Sequence, residues 1–311
     1  MYDVLLIGTG RMARAYAPVL VALKARTIAI GRSPAHARAF AEATGIEASA
    51  GGFDSYARTH AVPKHVIVAV DADKLASVAI AAIRAGARSV LLEKPGALTT
   101  RDLRAIQRAS SMHGAGVVIA YNRRCYASVR EAARRIKADG GATACYFEFN
   151  ERLTQKKAIR DLGIGKKVEA NWFIANSTHV VDLAFYLAGM PRDLESVSAA
   201  GPLWAPHPTL FAGSGVSVSG VPFAYRSNWE LAGPWTVEIT TKKCTYILNP
   251  LETLSIEKGG VREPVALDTV LDTTYKPGIF HQTKEFLSGK TVLPSLEEQL
   301  EHFRWYEQML G

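Results

Sequence analysis

The chain has 311 residues, 48% of them apolar, and a formal charge of +8, which suits one large domain or two ordinary ones with full cores. No apolar run reaches the roughly 18 residues of a membrane span. No basic leader opens the sequence, and Cys125, Cys145 and Cys244 stand too far apart for a disulfide framework or a zinc site.

These properties predict a cytoplasmic protein with reduced thiols, no metal, and no membrane partner. The Lys and Arg residues are scattered and no nucleic-acid module is visible, so nucleic acid is not an expected partner. The basic balance suits phosphate-bearing small molecules, or serves solubility alone.

In chain order, Val4–Ile7 is an apolar run that meets Gly8-Thr9-Gly10-Arg11-Met12-Ala13. Strand, tight turn and helix in this order give a Gly-x-Gly-x-x-Ala pattern its context. Gly8 makes the turn, Gly10 admits a pyrophosphate to the backbone, and Ala13 lets the helix pack on the strand. The first N–H groups of the helix and its dipole then favour phosphate.

A helix is expected over 11–24, with Pro18 bending it, and a strand over Thr27–Ile30. Gly31-Arg32-Ser33 follows where an acid would hold the ribose 2′-OH of NAD. No acid is present. Gly31 leaves room, and Arg32 and Ser33 suit a 2′-phosphate, which predicts NADP(H) over NAD(H). The alternative for Arg32 is a solvated loop arginine.

Helices are expected at 34–44 (capped by Ser33 and stopped by Gly45), 74–85 and 99–113. Strands are expected at 65–70, 89–92 and 116–120. Continuous apolar strands alternating with helices predict a doubly wound parallel sheet. Val70 and Asp71, at a strand's carboxyl end, are expected at the cofactor. Glu93-Lys94-Pro95 ends the next strand, where the Lys94 ammonium is placed to polarise an oxygen and join a proton relay.

With Glu93-Lys94-Pro95, the opening glycine turn, Asn122-Arg123-Arg124 and His179-x-x-Asp182, the chain resembles the Gfo/Idh/MocA family of nicotinamide-dependent oxidoreductases. The resemblance implies a Rossmann domain over 1–121. It implies a substrate-binding and oligomerisation domain over 122–311, an α+β unit with a large, mostly antiparallel open sheet. It also implies sugars, cyclitols or sugar nucleotides as substrates, and a dimer or tetramer formed through that sheet.

The second half changes character near residue 121. A basic helix is expected over Tyr126–Asp139 and an alternating strand over Thr143–Asn150, with Cys145, Phe147 and Phe149 on one face. Lys156–Lys167 reads as a mobile loop. Strands are expected at 197–200, 216–219, 223–229, 236–241, 244–248 and 254–257, and helices at 279–288 and 295–310.

Asn176–Ala188 reads as a helix with Asn176 or Ser177 as N-cap and Gly189 as stop. His179 and Asp182 share a flank, and an imidazole passes protons well near neutral pH. The resemblance makes His179 an acid/base or substrate ligand. Many relatives read Asp-x-Gly-x-His-x-x-Asp, whereas Ala175 and Ser177 stand here for the first Asp and the Gly.

The expected catalytic residues are therefore Lys94 and His179. The expected cofactor set is Gly8, Gly10, Arg11, Met12, Arg32, Ser33, Val70, Asp71, Glu93, Lys94 and Asn122. The expected substrate set is Lys94, Tyr121, Arg123, Asn171, Asn176 and His179. The expected reaction is hydride transfer between the nicotinamide and a hydroxyl or oxo carbon of a sugar or nucleotide-sugar. The alternatives are reduction of an imine or other C=X bond, or a non-enzymatic NADP(H)-binding regulator.

Overall fold

In the computed structural model, residues 2–151, 163–200, 207–230 and 233–311 are described. Contacts divide them into two units, Met1–Asn122 with Val270–Leu300, and Arg123–Thr269 with Glu301–Gly311. The first crossing falls one residue from the expected boundary. The stretch 270–300, expected in the second domain, packs instead with the first unit.

The first unit is built from short strands, most of them apolar and buried on both faces. β1 (Val4–Ile7), β2 (Thr27–Ile30), β3 (Glu47–Ser49), β4 (His65–Val68), β5 (Ser89–Glu93) and β6 (Gly116–Ala120) form one sheet in the order β3-β2-β1-β4-β5-β6. Every pairing is parallel, the arrangement that continuous Val/Ile/Leu runs require. The order reverses beside β1, where open α/β sheets bind ligands.

Between the strands lie α1 (Arg11–Ala22), α2 (Pro34–Thr44), α3 (Gly52–Thr59), α4 (Leu75–Arg84) and α5 (Thr100–His113). The caps follow the sequence. The Ser33 hydroxyl accepts from the His36 N–H at 3.2 Å, and Thr99 accepts from Asp102 N–H at 3.1 Å. Gly45 and Gly114 close α2 and α5 in the left-handed region. The sequence reading missed β3 and α3, a three-residue strand and an eight-residue helix too short to develop a period.

In the second unit, a 3₁₀ turn (Asn122–Cys125) leads into α6 (Ala127–Ala138) and β7 (Ala144–Phe149). The stretch expected as a mobile loop, Lys156–Lys167, lies outside the described residues as far as 162. After it come α7 (Lys166–Glu169), a π turn (Phe173–Ser177) and α8 (Thr178–Ala188). The strands are β8 (Pro191–Ala199), β9 (Leu210–Ser217), β10 (Pro222–Asn228), β11 (Trp235–Thr240), β12 (Thr245–Leu248), β13 (Ser255–Lys258) and β14 (Val261–Pro264). With β7 they form an eight-stranded sheet in the order β14-β13-β12-β11-β7-β10-β9-β8. The β7–β10 pair is parallel and the other pairs are antiparallel.

One face of this sheet is aromatic. Phe147 stacks on Tyr225 at 5.1 Å and meets Phe185 of α8 edge-on at 6.3 Å. Phe149 meets Phe173 of the π turn at 5.6 Å. Each such pair contributes about 0.5–1.5 kcal/mol beyond its burial. β9 begins earlier than the expected 216, because Gly213 and Gly215 hide the strand from propensity. A Cβ at these positions would come within 2.5 Å of the Tyr225 hydroxyl and 2.7 Å of the Phe223 ring. The chain continues with α9 (Val270–Thr274), α10 (Ile279–Ser288) and α11 (Leu296–Leu310).

Candidate active site

At the carboxyl ends of β1, β2 and β4 lies a cavity of about 860 Å³. Gly8, Gly10, Arg11, Met12, Arg32, Val70 and Asp71, all expected at the cofactor, line it. Gly8 has a φ of +123°, and a Cβ there would come within 2.2 Å of the Ala69 carbonyl oxygen. A Cβ at Gly10 would meet no protein atom within 4 Å, so the backbone at the start of α1 stands open to a phosphate, as a helix N-terminus for an anion must.

Thr9, His36, Asp54 and Lys74 also line the cavity, and the sequence reading missed them. Gly51 and Gly52, both with positive φ, close its rim: their N–H groups donate to the carbonyls of Arg32 at 3.2 Å and Gly31 at 3.0 Å. The Gly-Gly pair was the available turn signal.

Gly31 has a second consequence. A Cβ there would meet the Thr9 methyl at 3.0 Å and its hydroxyl at 3.2 Å. The stem of an acid at the end of β2 would therefore press on the Thr9 side chain, which would have to give by a few tenths of an ångström. Ser33, expected at the cofactor, does not line the cavity; its hydroxyl caps α2.

The Glu93-Lys94-Pro95 turn is braced within its own unit. Tyr16 of α1 donates to the Glu93 carboxylate at 2.6 Å, and Gln282 of α10 donates to Tyr16 at 2.7 Å. Burial raises the Glu93 carboxyl above its ordinary range, opposed by the Tyr16 hydrogen bond. Gln299 of α11 donates to the Pro95 carbonyl at 2.9 Å and to the Tyr121 hydroxyl at 3.2 Å. Lys94 is half-buried between these fixed neighbours.

Tyr121, expected at the substrate, is fully buried; its ring packs inside the unit and its hydroxyl serves this brace. Asn122, expected at the cofactor, donates to the Pro277 carbonyl at 2.9 Å. Both bonds have one cause: burial makes a polar side chain find an internal partner.

In the second unit His179 stands in the first turn of α8, buried, its ring 6.2 Å from that of Trp235. The Trp235 ring also carries the Arg123 guanidinium at 4.7 Å, and Tyr126 lies 5.9 Å from the same group. Burial lowers the pKa of Arg123. Among the described residues its Nε finds no hydrogen-bond partner.

Asp182 makes a bidentate pair with Arg124, at 2.7 and 3.0 Å, with both side chains buried. Its carboxylate is thus engaged by an arginine. His302 lies 3.7 Å from Asp182, and burial, with help from Arg124, holds its pKa well below the ordinary value, so this imidazole is neutral.

The expected N-cap of α8 is absent, because the π turn runs into the helix with Ser177 in helical conformation. Asn176 and Ser177 instead bond Glu151, a residue the sequence reading missed. Asn171 donates to the Lys167 carbonyl at 2.9 Å.

Residues 2–121 match the profile of the Gfo/Idh/MocA family, described as an oxidoreductase family with an NAD-binding Rossmann fold. No curated protein matches the sequence significantly. Among solved structures, the chain is similar to UDP-N-acetylglucosamine 3-dehydrogenase GnnA from Acidithiobacillus ferrooxidans, with 16% identity, a TM-score of 0.77, and 98% of this chain and 95% of that one covered. It is similar to the WlbA dehydrogenase from Chromobacterium violaceum, solved with NADH and UDP-GlcNAcA, at 16% identity and a TM-score of 0.77, covering 98% and 92%. It is also similar to a levoglucosan dehydrogenase solved with NADH and levoglucosan, at 19% identity and a TM-score of 0.77, covering 99% and 97%. Residues 2–121 thus match the model of the Gfo/Idh/MocA oxidoreductase family, and the chain as a whole shares its fold with these dehydrogenases.

Proposed function

We propose that the protein is an NADP(H)-dependent oxidoreductase that transfers hydride between the nicotinamide and a hydroxyl or oxo carbon of a sugar or nucleotide-sugar. The observation that carries the cofactor choice is at the end of β2, where Gly31 packs closely on Thr9, no acid stands and Arg32 lines the cavity. A guanidinium fork suits a 2′-phosphate, and His36 lines the same cavity. The substrate class rests on the dehydrogenases of similar fold, which carry sugar and sugar-nucleotide names.

When bound, the nicotinamide supplies the hydride chemistry. Lys94 holds its ammonium to polarise the reacting oxygen, steadied by the fixed backbone on either side. His179 gives or takes a proton of the substrate. Arg123, spread over Trp235, meets an anionic group of the substrate. Assembly uses the face of the eight-stranded sheet opposite the aromatic one, where Tyr146, Glu148 and Arg226 form a polar cluster.

Titration with NADPH and NADH tests the cofactor reading. NADPH is expected to bind at least about tenfold more tightly, and Arg32→Ala to remove that margin, about 1.4 kcal/mol, without changing NADH. Equal affinities in the wild type refute the preference. Turnover across UDP-N-acetylglucosamine, its uronic acid and levoglucosan tests the reaction. Lys94→Ala turning over at the wild-type rate refutes the role of Lys94.

A further inference from the structure

We propose that Glu151 is the positioning carboxylate of the turn that carries His179, fixing that turn and setting the proton affinity of the imidazole. This rests on His179 as the group that handles the proton.

Glu151 lies two residues past the end of β7 and is fully buried. The Asn176 amide donates to its two oxygens at 2.8 and 3.0 Å, and the Ser177 hydroxyl donates to one of them at 2.7 Å. These hydrogen bonds favour the charged form of a carboxyl that burial would otherwise neutralise. Arg123 also feels the Glu151 charge.

Both donors belong to the π turn Phe173–Ser177, which enters α8 without a cap. Such turns are rare and widen a helix locally. Here the widened turn gives Asn176 and Ser177 to one carboxylate two residues before His179. The apolar residue at Ala175 cannot do this work. A carboxylate from the end of β7 reaches the same turn from another element.

Ser177 and His179 share one helical turn, so a charge held on Ser177 acts on the imidazole within about 10 Å. Other charged groups of the described residues lie in this part of the unit. Asp182 is neutralised by Arg124, His302 is uncharged, and Arg123 stands across Trp235 with Glu252 acting on it. Among these groups, Glu151 is the carboxylate tied directly to the His179 turn. A negative charge there stabilises protonated histidine.

The test is an NMR titration of the full chain labelled with ¹⁵N-histidine, the His179 signal being assigned with His179→Gln. It needs no substrate. Glu151→Gln keeps the size and one acceptor but drops the charge. It is expected to lower the His179 midpoint by about half a pH unit or more, Glu151→Asp recovering part of the shift. Coenzyme affinity is expected to stay unchanged. A His179 midpoint identical in wild type and a folded Glu151→Gln overturns the proposal.

Should Glu151→Gln fail to fold by circular dichroism, Ser177→Ala carries the test. It removes one donor and is expected to displace the His179 signal, and an undisplaced signal overturns the proposal. Absence of turnover on every sugar, with the midpoint still lowered, refutes the hydride-transfer reading and leaves Glu151 in place. Turnover that requires His179, with an unmoved midpoint, does the reverse.

Discussion

Gly8 meets two constraints at once, a φ of +123° and an approach of 2.2 Å between a hypothetical Cβ and the Ala69 carbonyl oxygen. An L side chain there is strained in its backbone and clashes with an atom of the sheet that cannot swing away. Gly8→Ala is therefore expected to cost at least about 2 kcal/mol, a fall of about 5 °C or more in Tm. Calorimetry checks this. Coenzyme titration of the variant is expected to fail as well, because the displaced atoms border the cavity. The same variant at Gly10 meets no protein atom within 4 Å. Its effect is expected on binding alone, which separates the glycine the fold needs from the one the ligand needs.

At the scale of elements, α8 is tied to the 3₁₀ turn Asn122–Cys125 by the pair Arg124–Asp182, 2% and 0% exposed. Leaving one member of a buried pair alone costs far more than the pair contributes. Asp182→Asn is expected to destabilise the chain by about 3–5 kcal/mol, read as a lower midpoint in urea. Replacing both residues by apolar ones is expected to recover much of the loss. Asp182 thus holds the helix on which His179 stands, a structural duty that its spacing from His179 alone did not reveal.

At the scale of the molecule, the first unit is discontinuous. Val270–Leu300 supplies Gln282, Gln299, Ile279, Phe286, Leu293 and Leu296 to it. Phe286 meets His65 of β4 edge-on at 5.7 Å, and Ile279 is fully buried. Burying each large apolar side chain contributes about 1.5–3 kcal/mol, against a total stability of about 5–15 kcal/mol. A fragment of residues 1–122 is therefore expected to be largely unfolded at 25 °C. Joining 270–300 to it by a flexible linker is expected to restore cooperative melting by circular dichroism. A fragment 1–122 that melts like the intact chain refutes this.

The sequence by itself determined the elements whose signal is local. Apolar runs, the cap at Ser33, the stop at Gly45 and the glycine turn at residues 8–13 placed a parallel nucleotide-binding sheet and most of its cavity. Alternation over Thr143–Asn150 announced the second sheet. Each of these rests on neighbours a few residues apart.

Tertiary structure alone decided where distant polar groups find partners. It turned Tyr121 and Asn122 inward, assigned Asp182 to Arg124, joined 270–300 to the first unit, and brought Glu151 to Asn176 and Ser177 across 25 residues. The physical reason is that a buried polar atom must be satisfied by whatever the fold brings near, and spacing along the chain carries no record of that choice.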